Sequence, residues 1–230
     1  MILPDDWLRA IGDAAHEVGG LFVLDCIASG AIWVDMAACQ VDVLVSAPQK
    51  GWSGPPCAGL VMLSPRARER IDGTTSSSFS MDLKKWLQIA ETYESGAHAY
   101  HATMPTDSLV TLRDVMNETA AWGFEQARSA QQQLGEQVRA MLVRRGFRSV
   151  AAPGFQAPGV VVSYTDDLDL HNGRKMLAQG LQIAAGVPLA CDEPADFRTF
   201  RIGLFGLDKL KNVERTVHHL DEAIGAVQRG

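Results

Sequence analysis

Two short, mainly apolar runs near the start place the strongest limit on the fold. They are Leu21 to Leu24, stopped by Asp25, and Val41 to Val45, stopped by the turn-forming Ser46-Ala47-Pro48. Short strands of this kind, covered on both faces, belong to parallel sheets with helices packed against them. A covering helix is written just upstream. Pro4-Asp5-Asp6 opens a segment in which Trp7, Leu8, Ile11, Ala15 and Val18 recur at three- and four-residue spacing, and Gly19-Gly20 closes it. Gly59 to Leu63 reads as a third strand, followed by an arginine-rich helix from Pro65. Helix then strand, repeated, predicts an α/β protein with a mostly parallel sheet.

Further along, Asp72 to Ser78 is the most loop-like stretch, and Asp82 starts a helix with Leu83, Trp86, Leu87 and Ala90 on one face. Another helix is expected after Pro105. From Glu125 to Arg145, the positions Ala127, Ala130, Leu134, Val138, Met141 and Leu142 make a long amphipathic helix stopped by Gly146. A domain boundary is placed near its start, giving units of 1–125 and 126–230. The second unit reads as strand at Val160–Ser163, helix at Asp169–Gln179, strand at Thr199–Leu204 and a terminal helix with Val213, Val217, Leu220, Ile224 and Val227 on one face.

Composition removes several function classes. A net charge of −6 over 230 residues argues against a nucleic-acid or anionic-membrane partner. Met1 to Ala10 lacks the basic start and apolar run of a signal peptide, and no stretch reaches the ~18 apolar residues of a membrane span. A cytoplasmic protein acting on small molecules is the expectation. Cys26, Cys39, Cys57 and Cys191 are too sparse for a disulfide framework and lack zinc-site spacing, so no metal is expected and the thiols are read as reduced and mostly buried.

Three residues could carry chemistry. Asp25 ends an apolar strand, the edge at which open α/β sheets form ligand crevices, although strand-end aspartates more often cap turns. Lys50 follows the next strand in a loop stiffened by Gly51, Gly54, Pro55, Pro56 and Gly59, with Trp52 two positions on. Lysines in loops are usually solvated. Adjacent parallel strands would, however, bring Asp25 and Lys50 into one crevice. Arg201 lies on the strand face opposite Phe200, Ile202 and Leu204, where a guanidinium could receive a carboxylate through two parallel hydrogen bonds. A plain surface arginine is the simpler reading of that position.

The segments LDCIASG, SAPQKGWSGPPCAGL, YHATMP and FRIGLFGLDKL, in that order, resemble the class V pyridoxal-phosphate-dependent aminotransferases, in particular alanine–glyoxylate and serine–pyruvate aminotransferases. The resemblance implies fold type I: a partial large domain to about residue 125 and a small C-terminal α/β domain. It implies pyridoxal 5'-phosphate as cofactor, with Lys50 forming the Schiff base and moving the proton, and Asp25 pairing with the pyridine nitrogen. Ile27 would pack on the ring, Gln49 would sit near the phosphate, and Arg201 would clamp the substrate carboxylate. Tyr100 and Thr103 would reach the phosphate of a second subunit, implying a homodimer. His101 is expected to be a structural neighbour. The implied reaction moves an amino group from alanine or serine to glyoxylate or pyruvate.

Cysteine desulfurases and kynureninases of the same class usually carry His immediately before the lysine, where this chain has Gln49, which ranks lyase chemistry second. A non-catalytic remnant is the other alternative. Full-length relatives begin with a long portion that supplies phosphate-binding and ring-stacking groups, and Met1 resembles an internal position of the family. The expectation is a truncated chain, weak or inactive by itself, with exposed apolar surface.

Overall fold

The computed structural model describes residues 1–229. Its N-terminal part runs α1 (Asp5–Glu17), β1 (Val23–Asp25), β2 (Val43–Ser46), β3 (Leu60–Leu63), α2 (Pro65–Asp72), α3 (Leu83–Glu94) and α4 (Thr106–Trp122). Its C-terminal part runs α5 (Phe124–Arg144), β4 (Val160–Tyr164), α6 (Leu168–His171), α7 (Arg174–Ala178), β5 (Ala184–Ala185), β6 (Thr199–Gly203), α8 (Leu207–Lys211) and α9 (Val213–Arg229). The helix starts follow their local chemistry. Ser64 caps α2 through Oγ to the Ala67 N–H, with Pro65 in the first turn, and the Asp82 carboxylate caps α3 at the Lys85 N–H.

The first sheet has the order β1-β2-β3, with β1 and β2 parallel, as expected, but β2 and β3 antiparallel. The cause is the connection. Lys50 to Gly59 returns the chain directly beside β2, with no helical crossover to reset its direction. The link from β1 to β2 also contains no regular helix, only turns around Asp35 to Gln40. The second sheet is wholly antiparallel in the order β4-β6-β5, and the two-residue β5 had no sequence signal of its own.

Two further expectations change. The helix read over Asp169–Gln179 breaks into α6 and α7 at Gly173, whose φ of 82° lies outside the helical range. The terminal helix carries its Val213–Val227 stripe unbroken on α9, and the separate short helix α8 precedes it. The four cysteines are free, but only Cys39 is buried; Cys26 and Cys57 are half-buried and Cys191 is exposed.

The main core joins α5, α9, β4 and β6. Phe200, Ile202 and Leu204 face inward, as their alternation predicted, against Leu134, Val138 and Ile224. A smaller core under the first sheet contains Leu8, Phe22, Cys39, Val41 and Leu44. Among the described residues, no helix is long and apolar enough to cross a membrane, and no group of three or more His, Cys, Asp or Glu is arranged to hold a metal ion.

Candidate functional site

The parallel register pairs Val23 with Val43, Leu24 with Leu44 and Asp25 with Val45, so both strands end level and open into neighbouring loops. The first loop carries Asp25 and Ile27; the second carries Gln49 and Lys50. The loops touch through backbone. A Cβ at Gly51 would lie 2.5 Å from the Gly30 carbonyl oxygen, so only glycine permits this approach beside Lys50. Ser53 holds the left-handed conformation at φ 53°, and its N–H donates to the Lys50 carbonyl at 3.0 Å, closing the turn that presents the lysine.

Asp25 accepts the Ile27 N–H at Oδ1 (2.9 Å), the local turn foreseen for a strand-end aspartate. That bond uses one carboxylate oxygen and leaves the other to a ligand. Asp25 also lines a cavity of about 340 Å³ together with Leu3, Leu24, Cys26 and Ser29. Burial pushes the Cys26 thiol pKa up; the Ser29 hydrogen bond pulls it back in part, and the Asp25 charge adds to the rise, so the thiol stays protonated at neutral pH. Lys50 is half-buried and Gln49 exposed. Among the described residues, neither Lys50 nor Arg201 forms an ion pair.

Arg201 lies on β6 facing β5, and its Nε donates to the Ala185 carbonyl at 2.8 Å. This fixes the guanidinium plane and leaves both terminal nitrogens for a carboxylate. The strand ends against the same two loops: the turn after it brings Gly206 to the Ser53 hydroxyl, where a Cβ would meet Oγ at 2.8 Å. Tyr100 and Thr103 share a hydrogen bond (3.1 Å) on the exposed stretch between α3 and α4, and neither bonds to the Asp25 or Lys50 loop. His101 is packed locally, 4.3 Å from the Phe79 ring and 5.0 Å from Trp86, with Nε2 3.1 Å from the Phe79 carbonyl.

Sequence reasoning noted Trp52 beside Lys50 but missed its partners Trp33 and Phe124, and it missed Gln131. Trp33, Trp52 and Phe124 form an aromatic cluster with ring centroids 5.2–6.4 Å apart, joining both loops to the start of α5. Gln131, four residues after Ala127 and three before Leu134, is a polar side chain inside the apolar stripe of α5, and its burial is complete. The available signal was that spacing, which placed an amide where only apolar groups were looked for.

A wider cleft of about 830 Å³ lies between the end of α5 and the loop before β6, lined by Phe147, Arg148, Tyr164 and Glu193. Two of its carboxylates, Glu193 and Asp167, are already engaged. Glu193 is held at about 2 by hydrogen bonds from the Cys191 and Ala190 backbone N–H groups, and Asp167 is held low by Lys175. The Lys175 amine there is paired with Asp167, whereas among the described residues Lys50 has no ion-pair partner and Asp25 keeps one carboxylate oxygen without a hydrogen bond.

An amine, a carboxylate with a free oxygen and an oriented arginine on three abutting segments fit the donor set of a pyridoxal-phosphate site. The class defined by this fold is that of the pyridoxal-phosphate-dependent fold type I enzymes. The structure of alanine–glyoxylate aminotransferase from Nostoc sp. superposes with a TM-score of 0.82 at 22% identity, over 96% of this chain and 57% of that one. The family description aminotransferase class-V matches residues 6–216. The chain belongs to the class V aminotransferase family, whose membership implies pyridoxal phosphate as cofactor. Alanine–glyoxylate aminotransferase of Felis catus is 28% identical over 233 residues, covering 96% of this chain and 54% of the relative. 2-Aminoethylphosphonate–pyruvate transaminase 1 of Burkholderia lata is 27% identical over 232 residues, covering 96% and 60% respectively. The chain spans between half and three-fifths of the length of these curated relatives.

Proposed function

We propose that this chain carries the lysine half of a transaminase site that moves an amino group from alanine or serine to glyoxylate or pyruvate. The observation that carries the reading is the level ending of β1 and β2, which sets Asp25 and Lys50 in loops that touch at Gly30 and Gly51. Pyridoxal phosphate, when bound, supplies an electron sink for the pair released at the substrate Cα. Lys50 Nζ would hold the cofactor aldehyde and, once the substrate amine takes its place there, would be free as the base that moves the substrate Cα proton. Asp25, through the oxygen not used by Ile27, would hold a proton on the pyridine nitrogen. Ile27 would pack against the ring, and Gln49 would serve the phosphate side. Arg201 grips the carboxylate shared by amino and oxo acids and so orients Cα toward Lys50.

The same reading divides the chain near residue 125, with 1–125 belonging to the cofactor-binding domain and 126–230 forming the small domain. It also assigns Tyr100 and Thr103 to the phosphate of a second copy in a homodimer. Their exposure supports this role, since Tyr100 is 71% accessible and bonded only to Thr103 among the described residues. The similarity to transaminases with different amino donors supports transamination more strongly than it supports one donor.

The test is reductive trapping. The protein is mixed with pyridoxal phosphate, reduced with borohydride, digested and mapped by mass spectrometry. The expected result is a phosphopyridoxyl group on Lys50, absent from Lys50→Ala and weakened in Asp25→Asn. Labelling spread over the other lysines, such as Lys84, Lys175 and Lys211, with none favoured, would overturn the assignment.

A further inference from the structure

The residues assigned to chemistry lie on three separate segments: the Asp25 loop, the Lys50 loop and β6. All three are fastened to one face of α5. Phe124 opens that face, its carbonyl accepting the Trp33 Nε1–H at 2.8 Å while its ring packs against Trp33 and Trp52. Two turns on, the buried Gln131 makes three contacts. Oε1 accepts the Ala31 N–H from the Asp25 loop (3.4 Å), and Nε2 donates to the Pro158 carbonyl ahead of β4 (3.1 Å) and to the Leu204 carbonyl after β6 (3.3 Å). One turn further, Gly135 lies so close to Pro158 that a Cβ would meet it at 2.5 Å.

The neighbouring backbones interlock around that amide. A Cβ at Gly30 would lie 2.6 Å from Gln131 Oε1, one at Gly51 would strike Gly30, and one at Gly159 would come within 3.0 Å of the Phe205 ring and 3.3 Å of the Gly30 Cα. A buried amide with both donors and its acceptor occupied has one orientation, because rotation by half a turn would leave two carbonyls and an N–H without partners. An apolar side chain of the same volume would fill the space without fixing a register.

We propose that Gln131 is a positioning residue that sets the Asp25 and Lys50 loops against the strand bearing Arg201, and so sets the separation of the cofactor-binding groups from the carboxylate-binding arginine. Gln131 touches Ala31 directly. It reaches Lys50 through the Gly30–Gly51 contact and Arg201 through the two residues, Ile202 and Gly203, between Arg201 and Leu204. The functional consequence rests on the transaminase reading; the placement of the loops does not.

The experiment compares amide hydrogen exchange in the whole chain for wild type, Gln131→Met and Gln131→Glu. Gln131→Met keeps the volume and removes all three hydrogen bonds. It is expected to speed exchange about fivefold to tenfold in residues 26–34 and 49–54 and at Leu204, while α9 keeps its protection. Gln131→Glu keeps the acceptor for Ala31 and loses both donors, so it should restore Ala31 and leave Leu204 fast. Unchanged loops in Gln131→Met would overturn the proposal. So would faster exchange everywhere, α9 included, since that is general damage to the core.

With pyridoxal phosphate added, the pH midpoint of any Lys50-dependent visible absorbance should also shift in Gln131→Met, and an unmoved midpoint would contradict the link to Lys50. If wild type shows no such absorbance while the exchange pattern holds, the transaminase reading fails and the positioning role of Gln131 stands.

Discussion

Around α5 and α9, Leu134, Phe200, Met176 and Ile224 are fully buried within a cluster of seventeen residues. The cluster under β1 and β2 holds five, and beside it Trp7, Val18 and Val23 remain 53%, 85% and 58% exposed. The C-terminal part buries most of its apolar faces against one another, leaving Leu168 and Leu177 among its exposed positions, whereas the N-terminal part offers much of α1 and α3 to solvent. The two regions must therefore be held by different forces: packing in one, and in the other a small core reinforced by a polar node and by the attachment to α5.

That node is Asp42, 2% exposed. Its carboxylate accepts the Phe22 N–H at 2.9 Å and the Ser64 hydroxyl at 3.0 Å, and it lies 2.8 Å from His16 Nε2. It thereby joins α1, both strand lead-ins and the start of α2. Glycine contacts and aromatic packing then connect the sheet's loops to α5.

The contrast can be broken most forcefully at Phe200. Truncating it to alanine removes a fully buried ring from the larger core and should cost about 3–5 kcal/mol in urea unfolding. An effect below about 1 kcal/mol would deny that this core is the packed one. Next in size is Asp42→Ala, which strands buried donors and should cost about 1–3 kcal/mol. Its mark should be local, with faster exchange in α1 and β2 while α9 stays protected.

The pH dependence sharpens the same point. Burial alone would raise the Asp42 pKa, but the hydrogen bonds from Phe22, His16 and Ser64 together hold it below its ordinary 3.8. A depressed folded pKa gives stability that is fully present above about pH 3.8 and is lost as the pH falls through the folded value. Wild type should lose stability more steeply on acidification below that pH than Asp42→Asn. Parallel curves would remove the ionised carboxylate from the account. The smallest effect belongs to Val18→Ser, at an exposed apolar position, with a change within about 0.5 kcal/mol measured by thermal melting.

Legibility followed the same division. Phe200, Ile202 and Leu204 were readable because alternation reports which face is buried, and the α5 and α9 stripes were readable because their spacing does. On α1 the same spacing marked Trp7, Ile11 and Val18, which this chain leaves open, so periodicity identified the face without identifying what covers it. The antiparallel β3 was hidden because direction depends on the length and path of the connection after Lys50, which carries no hydrophobic period.

In the site, Asp25, Lys50 and Arg201 stood out by position at strand ends and on a strand face. Gln131 did not, because a polar residue within an apolar stripe looks like a gap until its three partners, 27 to 100 residues away, are folded onto it. Trp33 and Phe124 were equally silent, being 91 residues apart.

The central claim is that Lys50 is the amine of a cofactor site. The most direct measurement is the visible absorbance of pyridoxal phosphate mixed with wild type or with Lys50→Ala, before and after addition of alanine. The account predicts a band that requires Lys50 and that fades when alanine donates its amino group. A band of equal strength in Lys50→Ala would contradict it.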